Sequence, residues 1–169
     1  MKLKKILNTI DSISEWTGRI FCWTVCVIII LVVIEVILRR FFGRPTTWSF
    51  ETVIQVYAFH FMIVAAYTLL HQSHVFVDIL YSRVSKRTQA VLDVIGYSIF
   101  FFPFMSVLLF EGIKFAANSW SVRETSWSVF APPLYPIKTV IPLMAFLVLI
   151  QGIAIFIRQL YMAVKGKEL

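Results

Sequence analysis

The chain has 169 residues, of which 59% are hydrophobic, 16% aromatic and 15% charged. A soluble domain is nearer a quarter charged and about half apolar, so this composition excludes an ordinary soluble enzyme or binding module. The net charge of +7 belongs, in so apolar a chain, to loops at a membrane surface rather than to a nucleic-acid site.

Residues 1–15 do not read as a cleavable leader, because Asn8, Asp11, Ser12 and Glu15 interrupt the apolar stretch and no small-residue cleavage site follows. Leu3, Ile6, Leu7, Ile10 and Ile13 fall on one helical face, which predicts an amphipathic helix on the membrane surface or an extension of the first span. Four apolar runs follow, at about 16–38, 48–70, 88–110 and 136–157. Each has about 20 residues, the length a helix needs to cross a hydrocarbon core of about 30 Å. The expected fold class is an all-α membrane protein: one domain over residues 1–169, with four transmembrane helices plus short amphipathic in-plane helices.

The first run ends at Arg39 and Arg40. The link after it contains Gly43 and Pro45 and is short enough to make an antiparallel hairpin, with Trp48 opening the second span at the interface. In the second link, 71–87, Phe76, Ile79, Leu80 and Val84 share a face, which predicts a short in-plane helix. The third run is rich in Phe, and Pro103 is expected to kink it. Glu111 and Lys114 are spaced for an intrahelical pair, carrying helical character toward Asn118. The last link, 119–135, packs Trp120, Trp127, Phe130 and Tyr135 together with Pro132 and Pro133. Anchoring in the headgroup layer is its plainer reading. Periplasmic docking of an external partner by Trp120, Arg123, Glu124, Trp127 and Phe130 is the sharper one.

Four spans put both termini on one side. That side holds ten Lys or Arg residues, among them Lys2, Lys4, Lys5, Arg83, Lys86, Arg87 and Arg158, against six on the other. The asymmetry places both termini in the cytoplasm.

The ionisable residues fall near the ends of the runs. Glu35 stands four before Arg39, spaced for an ion pair. A membrane carboxylate is also a functional hypothesis, so a stand-alone proton-coupled transporter using Glu35 is one rival reading. Glu51 complements the dipole at the start of the second span and lies within reach of Arg39, Arg40 or Arg44 across the hairpin. Arg39, Arg40, Glu51 and Glu35 are thus expected to form a structural charge clamp. His74, Asp78 and Asp93 mark the inner boundary. The three histidines, His60, His71 and His74, all lie on or just past one span. Facing helices would be needed for a bis-histidine haem, which argues against the second rival, a membrane anchor of a haem or quinone enzyme. Cys22 and Cys26, four apart on one helix, read as small buried hydrophobes. No catalytic, cofactor or metal ligand set emerges.

Three segments carry a family resemblance: RRFFGRPTTWSFE at 39–51, HVFVDIL at 74–80 and RETSWSVFAPPLYPIKTVIPL at 123–143. In this order, among four spans, they resemble the small membrane subunit (DctQ type) of tripartite ATP-independent periplasmic (TRAP) transporters. One departure is Phe50, where the family often has a second acid beside Glu51. The resemblance implies a small scaffold subunit in the bacterial inner membrane. Its implied partners are a large elevator-type permease subunit (DctM type), a periplasmic substrate-binding protein (DctP type) and membrane lipids. It further implies sodium-coupled uptake of an organic anion, carboxylate or sulfonate, with sodium held in the large partner and no cofactor in this chain.

Overall fold

A computed structural model of the chain describes residues 2–71 and 85–166. Helices α1 (Lys2–Phe21), α2 (Thr24–Phe41), α3 (Ser49–Ile63), α4 (Ala65–Leu70), α5 (Lys86–Gly96), α6 (Phe102–Ser121) and α7 (Tyr135–Lys165) follow in order, with a π-helical segment at Tyr97–Phe101 between α5 and α6. Among the described residues there is no strand, only an isolated bridge between Thr125 and Pro133. Four helical stretches are long and apolar enough to cross a membrane: Lys4–Phe41, Ser49–Leu70, Lys86–Ser121 and Tyr135–Lys165. The chain is therefore an all-α multi-pass membrane protein. The 42–48 and 122–134 links lie at one end of the bundle, called here the loop end. Lys2 and Gly166, the outermost described residues, lie at the other, the terminal end.

Each interruption in these helices has a local cause. At 22–23 the bonding tightens, with Val25 N–H donating to Cys22 O at 3.2 Å and Cys26 N–H to Trp23 O at 3.0 Å. The carbonyl of Phe21, left over at this step, receives the Thr24 hydroxyl, and the His60 ring lies 3.1 Å from it. A carbonyl only accepts, so His60 carries its proton on Nδ1 here. Gly43, at φ +59°, ends α2, and the N–H groups of Phe42 and Arg44 both return to Leu38 O, the glycine supplying the left-handed conformation such a cap needs. The π turn sits just ahead of Pro103: Phe102 N–H reaches back five residues to Tyr97 O. The extra residue re-registers the helix where proline cannot donate.

Small residues let the spans approach. A Cβ on Gly152 would stand 2.2 Å from the Phe101 ring, and one on Gly18 would stand 2.2 Å from the Tyr67 ring. Ala66, Leu69, Met105, Ala145, Val148 and Ile155 make the buried core, with Tyr97 and Phe101 packed against it. Without a hydrophobic drive inside lipid, such close packing and interhelical polar contacts supply the association energy. Helix α2 is the exception, because none of its residues is buried and only α3 covers it substantially. Cys22 and Cys26 are exposed, contrary to the expectation of buried hydrophobes, because Cys26 lies on this poorly covered arm and Cys22 at the break just before it.

Candidate functional site

Two polar braces, one near each end of the bundle, hold most of the chemistry. At the terminal end, α1 is bound to α7. Gln151 is fully buried in α7; its Oε1 accepts from Ser14 Oγ at 2.7 Å and its Nε2 donates to Asp11 Oδ1 at 3.0 Å. Arg158, two turns further along, donates to both oxygens of the same aspartate, at 3.1 and 2.5 Å. Such a fork places two parallel charge-assisted bonds on one carboxylate. Beside it Glu15 bridges Arg19 at 2.6 Å and His71 Nε2 at 2.7 Å, tying α1 to the end of α4, and the His71 ring lies 4.4 Å from that of Tyr67. Arg87 closes the rim by donating to Ala163 O at 2.9 Å.

At the loop end the expected charge clamp takes a different form. Glu35 pairs with Arg39 at 3.0 Å, and its second oxygen accepts from the Thr46 hydroxyl and backbone N–H. Among the described residues no ion pair joins Glu51 to Arg39 or Arg40. Glu51 points instead toward the last link, where Ser126 Oγ donates to its Oε1 at 2.7 Å, and its Oε2 is buried without a partner. The correction follows from direction: Arg39 is taken by an acid on its own helix, while Glu51 faces the link between α6 and α7. Gln55, one turn later, donates to Pro133 O at 3.3 Å.

That link is a folded hairpin rather than an extended collar. Ser126 N–H donates to Pro132 O and Leu134 N–H to Glu124 O, both at 2.9 Å, and Arg123 and Ala131 turn the chain at φ 45° and 46°. Glu124 is ion-paired with Lys138 rather than grouped with Arg123, and the same ammonium lies 4.1 Å from the Phe115 ring centroid. Lys138 holds the Glu124 carboxyl below the usual carboxylate range, with the nearby Ser119 hydroxyl adding to the effect. That hydroxyl makes no well-formed hydrogen bond, so the ammonium is the cause with clear geometry. Trp120 closes the base: its Nε1 donates to Thr139 Oγ1 at 2.8 Å and its ring lies 4.4 Å from Tyr135. Trp127 and Val129 stand fully free at the tip, and Phe130 is exposed. Of the five residues expected to dock a partner, Trp120 and Glu124 hold the hairpin shut through Thr139 and Lys138, and Trp120 is exposed along with Arg123, Trp127 and Phe130.

Of the inner-boundary residues, Asp93 lies on α5 beside Tyr97 and Gln159, lining an apolar cavity of about 610 Å³. His74 and Asp78, with the expected in-plane helix around them, lie outside the described residues. Glu111 and Lys114 do pair, at 2.6 Å, and α6 runs on to Ser121. Sequence reasoning missed Asp11, Ser14, Gln151 and Arg158 as a group. The available signal was Gln151, an amide inside an apolar run, since a buried amide must find partners.

The family model for tripartite ATP-independent periplasmic transporters, DctQ component, matches residues 28–161. No curated protein and no solved structure matches the chain. The family match spans the α2–α3 hairpin, the Glu51–Ser126 contact and both Gln151 and Arg158. The chain belongs to the DctQ family, the small membrane component of TRAP transporters.

Proposed function

We propose that this chain is the fixed scaffold partner of a large DctM-type permease subunit, in a sodium-coupled system that takes up an organic anion delivered by a DctP-type binding protein. The supporting observation is how the polar side chains are used. Asp11, Ser14, Gln151 and Arg158 at one end, and Glu35, Glu51 and Glu124 at the other, all brace one segment against another. A scaffold that resists the motion of a neighbour needs such braces together with broad apolar faces, and the uncovered α2 supplies one. Substrate and sodium would then be held by the large subunit. The positive-inside asymmetry orients the terminal end to the cytoplasm and the loop end to the periplasm.

In that orientation the α6–α7 hairpin offers Trp127, Phe130 and Arg123 to an arriving binding protein. Aromatic and Arg side chains are the types enriched in interface hot spots, and a hairpin fixed by Ser126, Trp120 and Glu124 needs little ordering on contact.

The test is uptake into proteoliposomes. This chain alone should accumulate no organic anion, and the large subunit with the binding protein should accumulate it only when this chain is present. Sodium-driven uptake by this chain by itself would overturn the scaffold reading and revive Glu35 as a transport carboxylate.

A further inference from the structure

The α2–α3 hairpin forms an open groove of about 690 Å³ near the loop end, whose apolar wall is made by Val32, Val36, Phe50 and Val53. Arg39 and Arg40 line the same groove. Glu35 also lines it, but both of its oxygens are engaged, one by Arg39 and one by Thr46. Arg40 is exposed and engages no described side chain, so the groove keeps an uncompensated positive charge at its polar end. Trp48, the type of side chain that settles at headgroup level, caps the start of α3 close by.

We infer that this groove binds the headgroup phosphate and one acyl chain of an anionic glycerophospholipid. Charge complementarity favours this occupant over others. A free phosphate would gain nothing from four apolar wall residues, and a zwitterionic lipid would leave the charge of Arg40 unanswered by a net anion. Because no residue of α2 is buried, the groove lies open along its side for a lipid to enter from the bilayer. Basic pockets between spans bind anionic lipid headgroups. The inference needs only a chain embedded in a bilayer and does not depend on the transport reading.

The experiment measures phosphatidylglycerol against phosphatidylethanolamine retained by the purified full chain and by its complex with the large subunit, using native mass spectrometry after reconstitution in an equimolar mixture. Enrichment of phosphatidylglycerol is expected, falling about fivefold for Arg40→Gln. Val36→Trp, which fills the groove and leaves the charges intact, should abolish it. Glu35→Gln should raise it, because Arg39 is then released toward the phosphate; this variant guards against loss of retention through misfolding. Equal retention of the two lipids, or enrichment untouched by Val36→Trp, would overturn the inference, the latter pointing to charge adhering at the surface. So would inorganic phosphate displacing the lipid at low millimolar concentration. In the complex, a photo-crosslinker at Val36 that captures the large subunit instead of lipid would show that protein fills the groove.

Discussion

The two ends of this bundle hold themselves together in different ways. At the terminal end the contacts join residues far apart in sequence: Ser14 to Gln151 and Asp11 to Arg158, 137 and 147 positions away. At the loop end the ion pairs are short in sequence, Glu35 with Arg39 four apart and Glu124 with Lys138 fourteen apart, Trp120–Thr139 spans nineteen, and Glu51–Ser126 and Gln55–Pro133 reach further. The first arrangement decides which helices are neighbours. The second trims links between helices that their connections already make neighbours. Damage to the terminal end should therefore reduce folding and assembly, while damage to the loop end should alter a surface.

The largest effect should come from Gln151→Leu. It removes a fully buried amide that serves two partners, leaving Ser14 without an acceptor and Asp11 with one donor fewer. Stranding buried polar groups costs about 1–3 kcal/mol each, so a loss of about 2–4 kcal/mol is expected. Arg158→Ala should follow closely, although the pair is part-exposed and solvent discounts it. Thermal unfolding in detergent and the yield of complex with the large subunit check both. If Gln151→Leu melted within a degree or two of wild type, the terminal brace would be incidental, and the contrast between the ends would collapse.

Gly152→Ala tests the packing next to that brace. The added methyl overlaps the Phe101 ring unless the ring moves, and overpacking of this kind costs about 1–3 kcal/mol. Adding Phe101→Ala should give the methyl room, so the double variant should be more stable than the sum of the two single changes predicts. Strict additivity of the two melting shifts would mean that the glycine is not there for the ring.

At the loop end, Ser126→Ala deletes one hydrogen bond to a carboxylate, worth about 1.5–3 kcal/mol where well formed and less beside water. It should loosen the hairpin without reducing assembly, seen as faster amide exchange at Ser126 and Leu134 with an unchanged global melting point. Equal loss of global stability and hairpin protection would place this contact in the same class as the Gln151 network.

The sequence made the spans legible because a bilayer imposes length and apolarity on every crossing. The Glu35–Arg39 and Glu111–Lys114 pairs were legible because helical spacing dictates them. The partners of Glu51 and Asp11 were not, since they lie 75 and 147 positions away and no periodicity encodes which helices meet. Asp11 reads in the sequence as a break in an apolar stretch, and His60 as one of three histidines on or just past one span. Their purpose appears only when α7 and the break at 22–23 are set beside them. The π turn was half legible: Pro103 announced a disturbance, and an inserted residue rather than a simple bend resolved it.

The smallest expected effect is also the most specific. Glu124 is held below the ordinary carboxylate range by Lys138, so its folded form binds a proton less readily than the unfolded chain. A depressed carboxylate contributes stability that is present above its unfolded pKa and is lost as pH falls through the folded one. The hairpin should therefore stay closed from neutral pH down through the ordinary carboxylate range. Below that range it should open, as Lys138 loses the carboxylate partner that holds the base shut. Trp120 and Trp127 report this differently, one bonded to Thr139 and the other free in solvent. With the other four tryptophans changed to Phe, the Trp120 signal should change in acid with a midpoint below that of a free glutamate. In Glu124→Gln that step should vanish, while the protein's global melting point at neutral pH stays close to wild type. A step that persists in Glu124→Gln would belong to another group, and the Glu124–Lys138 pair would not be what holds the hairpin shut.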